Sequence, residues 1–215
     1  MNPLSVPIII WNRTMHLFQE RRRIAAHDAA FKSVRKEYER AKKNGMPHYE
    51  RMYNVGLYVL LLDYDIATLK NDALFAIREK KRNYVARQLA VLLYESSHDI
   101  PELLGKEFRA SLKTLPLTDE DWKEFNEITK QLNAFKEEHQ SILNRIRNYV
   151  GAHRDKNAGR QIEILESIEL LEIMNMAGNF YIPIRSLISF MTKVTLMMGK
   201  LNVIIKHMPP KGFES

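Results

Sequence analysis

Residues Arg147 to Asn157 read RNYVGAHRDKN, and they gather side chains suited to moving protons and holding phosphate. Histidine shuttles protons near neutral pH. Arginine presents a planar fork of donors that matches a phosphate. Metal-free cleavage of RNA needs little more. A base takes the proton of the 2′-hydroxyl, a cation stabilises the charge growing on phosphorus oxygens, and an acid protonates the leaving 5′-oxygen. Arg147, Asn148 and His153 supply those residue types within one short stretch.

Something must position them. Upstream, Phe125, Ile128, Leu132, Phe135, His139, Ile142, Ile146 and Tyr149 recur in alternating steps of three and four, which predicts one long amphipathic helix. Thr118 is set to cap it, with Asp119, Glu120 and Asp121 in the first turn and a Thr118/Asp121 spacing close to a capping box. The stripe directs Ile146, Tyr149 and Val150 to a core, so Arg147 and Asn148 point off it. In an unbroken helix His153 would lie about 120° around the axis from Arg147. Gly151 frees the chain from that constraint.

The rest also reads as helix. Apolar spacing predicts a helix ending at Lys43, stopped by Asn44-Gly45 with Pro47 beyond. A second runs from Tyr49 to about Leu69, and its centre VGLYVLLL is apolar on all sides, which puts it in the middle of a bundle. Asn71 or Asp72 is placed to cap a third helix with the stripe Leu74, Ile77, Val85, Leu89, Leu92 and Leu93, ended by Pro101. A short helix from Pro101 to Leu112 follows. Two more are expected near the C-terminus, from Gly159 to Ala177 and from beyond Pro183 to His207, separated by a turn at Gly178-Asn179. The fold class is all-α: an antiparallel helical bundle with a four-helix core and additional N-terminal helices. Residues 1–71 form an extension packed on the core, 72–208 the bundle, and 209–215 a frayed tail, in one compact unit.

Composition narrows the function classes. With 215 residues, 45% of them hydrophobic, one core suffices. Cysteine is absent, which removes disulfides and thiolate metal sites and fits a reducing, cytoplasmic setting. The N-terminus lacks a basic region before its short apolar run, so no secretory signal is expected. In the most apolar stretch, Arg185, Lys193, Lys200 and Lys206 recur every six to eight residues, so no membrane span and no membrane partner are expected. The net charge of +7 draws the chain to polyanions. Basic residues crowd Arg21 to Lys43, and Glu163, Glu166, Glu169 and Glu172 form an acidic run that can pair with them or face a partner. The seven histidines show no ligand spacing, His139 reads as a core histidine, and the glutamates lack the Glu-x-x-His pairs of a di-iron bundle. No metal or other cofactor is expected.

Arg147, Asn148 and His153, with five residues between the arginine and the histidine and a polar residue directly after the arginine, resemble the signature of the HEPN superfamily of small helical proteins. The position at the end of a long bundle helix and the polar run His153, Arg154, Asp155 add to the likeness, which covers the part from Asp72 to Met208. The resemblance implies a metal-independent endoribonuclease of a toxin-antitoxin or phage-defence system, acting as a homodimer whose two motifs build one cleft. It further implies that Arg147 binds the scissile phosphate, His153 transfers protons and Asn148 orients the arginine or the phosphate, with RNA as substrate and an antitoxin or other protein as a partner. Glu95 is then an acidic support from a neighbouring helix, or simply an exposed helix-end carboxylate; Arg154 and Asp155 are supporting candidates. Arg22 and His27, with four residues between them and no asparagine, also fit the signature's range of four to six intervening residues and read as solvated surface. The competing reading is a non-catalytic helical interaction module, in which Arg147 pairs with Asp155, His153 helps cap the helix, and the acidic run or the methionine-rich last helix binds another protein. In the first reading Arg147 and His153 are exposed in a cleft near their symmetry mates; in the second they are apart, buried or salt-bridged.

Overall fold

The computed structural model describes residues 5–148, 159, 163 and 169–207. Among them every regular element is a helix: α1 (Ser5–Lys43), α2 (Pro47–Phe75), α3 (Glu79–Leu103), α4 (Lys106–Leu112), α5 (Asp119–Ile146) and α6 (Leu170–His207). The all-α fold expected from the sequence is the one observed. Among the described residues no helix is long and apolar enough to cross a membrane.

Helix α2 holds the centre, packed against α1, α3, α4 and α6, while α5 packs against α3 and α6. Its apolar middle explains this. Val55, Val59 and Leu62 are all but inaccessible, although Leu61 stays 48% exposed. Gly56 lets Val34 and Met191 close in from α1 and α6. Helices α1 and α2 run antiparallel, shown by His27 meeting Leu60 and Tyr38 meeting Glu50. Helices α5 and α6 do the same, with Phe125 against Phe190 and Phe135 against Phe180. The turn into α2 is the one Asn44-Gly45 foretells: Gly45 has φ +62 and its amide closes on Lys42 at 3.2 Å.

The α5 start is capped as expected. The Asp121 amide donates to Thr118 Oγ1 at 3.2 Å, and the Thr118 amide donates to Asp121 Oδ2 at 2.8 Å. Asp121 is 2% exposed and also accepts from Lys193 of α6, so one carboxylate ties the cap to the neighbouring helix. The Lys193 hydrogen bond, then the Thr118 amide, holds the Asp121 carboxyl below its usual range. A depressed folded-state value means stability present above the unfolded pKa of about 4 and lost as pH falls through the folded one. Thermal unfolding followed across acid pH is therefore expected to show a steeper loss in the wild type than in Asp121→Asn. Equal slopes would show that the carboxylate charge contributes nothing.

Several boundaries differ from the sequence reading. No helix starts at Asn71 or Asp72, because α2 continues to Phe75 and the expected division at 71/72 falls inside it. Ala73, 1% exposed, anchors that last turn, and core contact outweighs two weak capping preferences. Leu74 and Ile77 consequently leave the expected core stripe and are 64% and 89% exposed. Pro101 lies inside α3, which ends two residues later. In α5, Leu143 is fully buried where Ile142 was expected to lead. The basic N-terminal stretch is paired locally or with α2 (Arg35 with Glu39, Arg40 with Glu37, Arg23 with Asp63), while Glu163, Glu169 and Glu172 are exposed. His27 is not solvated: its side chain is 8% exposed, Nε2 lies 2.8 Å from the Leu60 carbonyl, and its ring packs near Tyr64.

The expected turn at Gly178-Asn179 is absent as well. Helix α6 passes through Gly178, Asn179 and Pro183 without a break. Ala177, Phe180 and Ile184, all fully buried, pin the helix on both sides of the glycine. A Cβ added at Gly178 meets nothing within 4 Å. Gly178→Ala is expected to stabilise the protein by about 0.5–1 kcal/mol, read as a raised urea midpoint. Destabilisation would mean that the backbone there is not helical.

Candidate functional site

Arg147 stands directly after Ile146, which is 1% exposed and anchors the end of α5 in the core. Its amide still closes on Leu143 and Asn144, so the backbone stays helical there. Off the stripe, the side chain crosses to α3. Nε donates to Glu95 Oε1 at 2.8 Å, a contact between residues 52 positions apart. The guanidinium carbon lies 5.4 Å from the Tyr94 ring centre, close enough for a cation–π contact. Nη1 donates to Asn148 Oδ1 at 3.2 Å, and Asn148 Nδ2 donates to Asn144 Oδ1 at 2.8 Å. Both partners of the ion pair are partly open to solvent, 29% for Arg147 and 43% for Glu95.

The arginine is thus fixed on one edge. A carboxylate on Nε, the Asn148 amide oxygen on Nη1 and the Tyr94 ring beside the guanidinium together set its orientation. Of the sequence candidates, Arg147, Asn148 and Glu95 are brought together. His153, Arg154 and Asp155 lie outside the described residues, as does the alternative Arg147–Asp155 pair. Arg147 is ion-paired, a feature of the interaction-module reading, but its carboxylate is Glu95.

His98 was passed over in the sequence as one histidine among seven. It lies one turn along α3 from Tyr94, with ring centres 4.4 Å apart. Its Nδ1 is 2.8 Å from the Tyr94 carbonyl. A carbonyl only accepts, so Nδ1 carries the hydrogen and Nε2 is the lone-pair nitrogen of the neutral ring. The only local signal was the four-residue step from Tyr94, beside Glu95. No chain of local spacing links it to Arg147.

Comparison of the chain with protein-family models, with curated proteins and with solved structures finds no match.

The surroundings limit what the site can hold. Beside Glu95, Tyr58 donates to Asp99 at 3.0 Å, and burial, then that hydrogen bond, pushes its hydroxyl well above the ordinary tyrosine range. Tyr58 and Asp99 line a groove of about 590 Å³ together with Arg51, Glu102, Lys106 and Glu107. Arg51 is occupied by Glu107 at 2.7 Å. Carboxylates outnumber cations in this groove, so it repels a phosphate chain. Among the described residues, no three histidine, aspartate or glutamate side chains converge as a metal site.

Proposed function

We propose that the protein is a HEPN-like, metal-independent endoribonuclease of a reducing, cytoplasmic compartment, working as a homodimer in a toxin-antitoxin or phage-defence setting. The observation that carries this reading is the oriented guanidinium of Arg147, held by Glu95 through Nε at 2.8 Å at the end of α5. Such a group can place donors on a phosphate at no further ordering cost. Arg147 takes the scissile phosphate, Asn148 braces it, and His153 moves the proton. His98, with Nε2 as acceptor, lies one turn along α3 from the Tyr94 ring that the Arg147 guanidinium faces. In a two-fold dimer each copy's motif meets its mate, and two such pairs share one cleft.

The ion pair also favours a second reading. A guanidinium that is already neutralised is what a non-catalytic interaction module would present. Incubating the full chain with labelled single-stranded RNA in EDTA separates the two. The nuclease reading expects products ending in a 2′,3′-cyclic phosphate. Intact RNA under all conditions, together with a stable protein complex, would transfer the assignment to the module.

A further inference from the structure

The corner between α2 and α3 departs from an ordinary polar surface. Ala76 turns inward at 8% exposure, while Leu74, Ile77 and Tyr84 remain 64%, 89% and 54% exposed. Ile77 sits between two extended residues, Ala76 with ψ 117 and Arg78 with ψ 128, at the apex of the three-residue link. Arg82 Nη2 donates to the Ile77 carbonyl at 3.3 Å and ties the link to α3. Arg78, Lys80, Lys81 and Arg82 are all exposed around it. From 70 to 87 the chain carries six basic side chains against Asp72 and Glu79. Tyr84 adds an aromatic ring with the Arg87 guanidinium 5.5 Å away.

Leu74, Phe75 and Ile77, exposed together within four residues of chain, mark a contact surface rather than a single stray side chain, and shape and charge decide which kind of partner it meets. The apex is convex. A protein accepts a protruding isoleucine only in a matching pocket, whereas the headgroup layer of a bilayer is fluid and needs none. A nucleic acid would use the basic side chains and the tyrosine but has no contact to offer Leu74 and Ile77. We propose that the α2–α3 corner docks on an anionic lipid surface. Leu74 and Ile77 enter the boundary between headgroups and acyl chains, Tyr84 lies at headgroup level, and the basic side chains from Arg78 to Arg82 stay over the phosphates. The contact is peripheral and is independent of the nuclease reading. It departs from the sequence expectation of no membrane partner, which rested on the lack of a span.

The test is co-sedimentation of the full chain with vesicles of phosphatidylcholine alone or mixed with phosphatidylglycerol. Sedimentation is expected only with the mixed vesicles. Ile77→Ser is expected to weaken partitioning about tenfold by removing one apolar anchor. Lys80→Glu with Lys81→Glu is expected to weaken it by at least about 25-fold, at about fivefold per basic side chain lost. Both variants change exposed positions, and circular dichroism checks that they keep the fold. Equal binding to neutral vesicles, or none to anionic ones, would overturn the proposal. So would sensitivity to charge reversal with indifference to Ile77→Ser, especially if a short single-stranded RNA binds with the same pattern, because the corner would then be a simple polyanion surface. A dimer that Ile77→Ser dissociates would instead assign it to a second copy of the chain.

Discussion

Replacing His153 with alanine is expected to lower RNA cleavage by about 10²- to 10⁴-fold, the usual worth of a positioned general acid or base. Arg147→Ala is expected to cost about 10²- to 10³-fold, because it removes charge stabilisation aimed at the phosphorane. Both losses should fall on the cleavage rate of bound RNA in single-turnover assays with EDTA present. Neither change is expected to disturb folding: Arg147 is partly open and makes its contacts through its tip. Glu95→Gln gives an internal check. It keeps an acceptor for Nε but removes the charge, so it is expected to reduce the rate by less than Arg147→Ala does. His27→Ala, in the Arg-x4-His match formed by Arg22 and His27, is the control. That ring is buried against Tyr64 with Nε2 at the Leu60 carbonyl, so its loss lowers stability. Cleavage per folded molecule should remain. If His27→Ala abolished cleavage while His153→Ala spared it, the assignment of the motif would be reversed.

Phe125→Ala is expected to destabilise the protein by about 3–5 kcal/mol, the range for emptying a buried aromatic position. Phe125 is fully buried. Its ring centre lies 5.8 Å from that of Phe108, 6.1 Å from Trp122 and 5.3 Å from Phe190, and the Arg109 guanidinium lies 4.7 Å away. It therefore joins α4, α5 and α6 at one point, and a cavity there loses contacts on three sides. Urea unfolding followed by far-UV circular dichroism should show a much lower midpoint. A loss below about 1 kcal/mol would mean that the neighbours collapse into the space. Trp122, packed edge-on against Phe125, reports the same event through its fluorescence.

The sequence by itself determined the all-α class, the capping box that starts α5, the glycine stop after α1 and most of the α5 core stripe. Each of these is a local signal: a period near 3.6, a side chain that meets its own backbone three residues on, or a residue that alone tolerates positive φ. Tertiary structure decided the rest. Gly178, Asn179 and Pro183 are helix breakers with penalties of a few kcal/mol at most, and burying Ala177, Phe180 and Ile184 around them outweighs that. Asn71 and Asp72 offer a cap, but the buried Ala73 carries α2 past it. The three-residue period of Glu163, Glu166, Glu169 and Glu172 was legible, and so was the Arg147–Asn148 pair. Which carboxylate would meet Arg147 was not, because Glu95 is 52 residues away and only the packing of α3 against α5 brings it to 2.8 Å. Spacing along α3 puts His98 one turn from Tyr94, but only the neighbouring helix decides what that face meets.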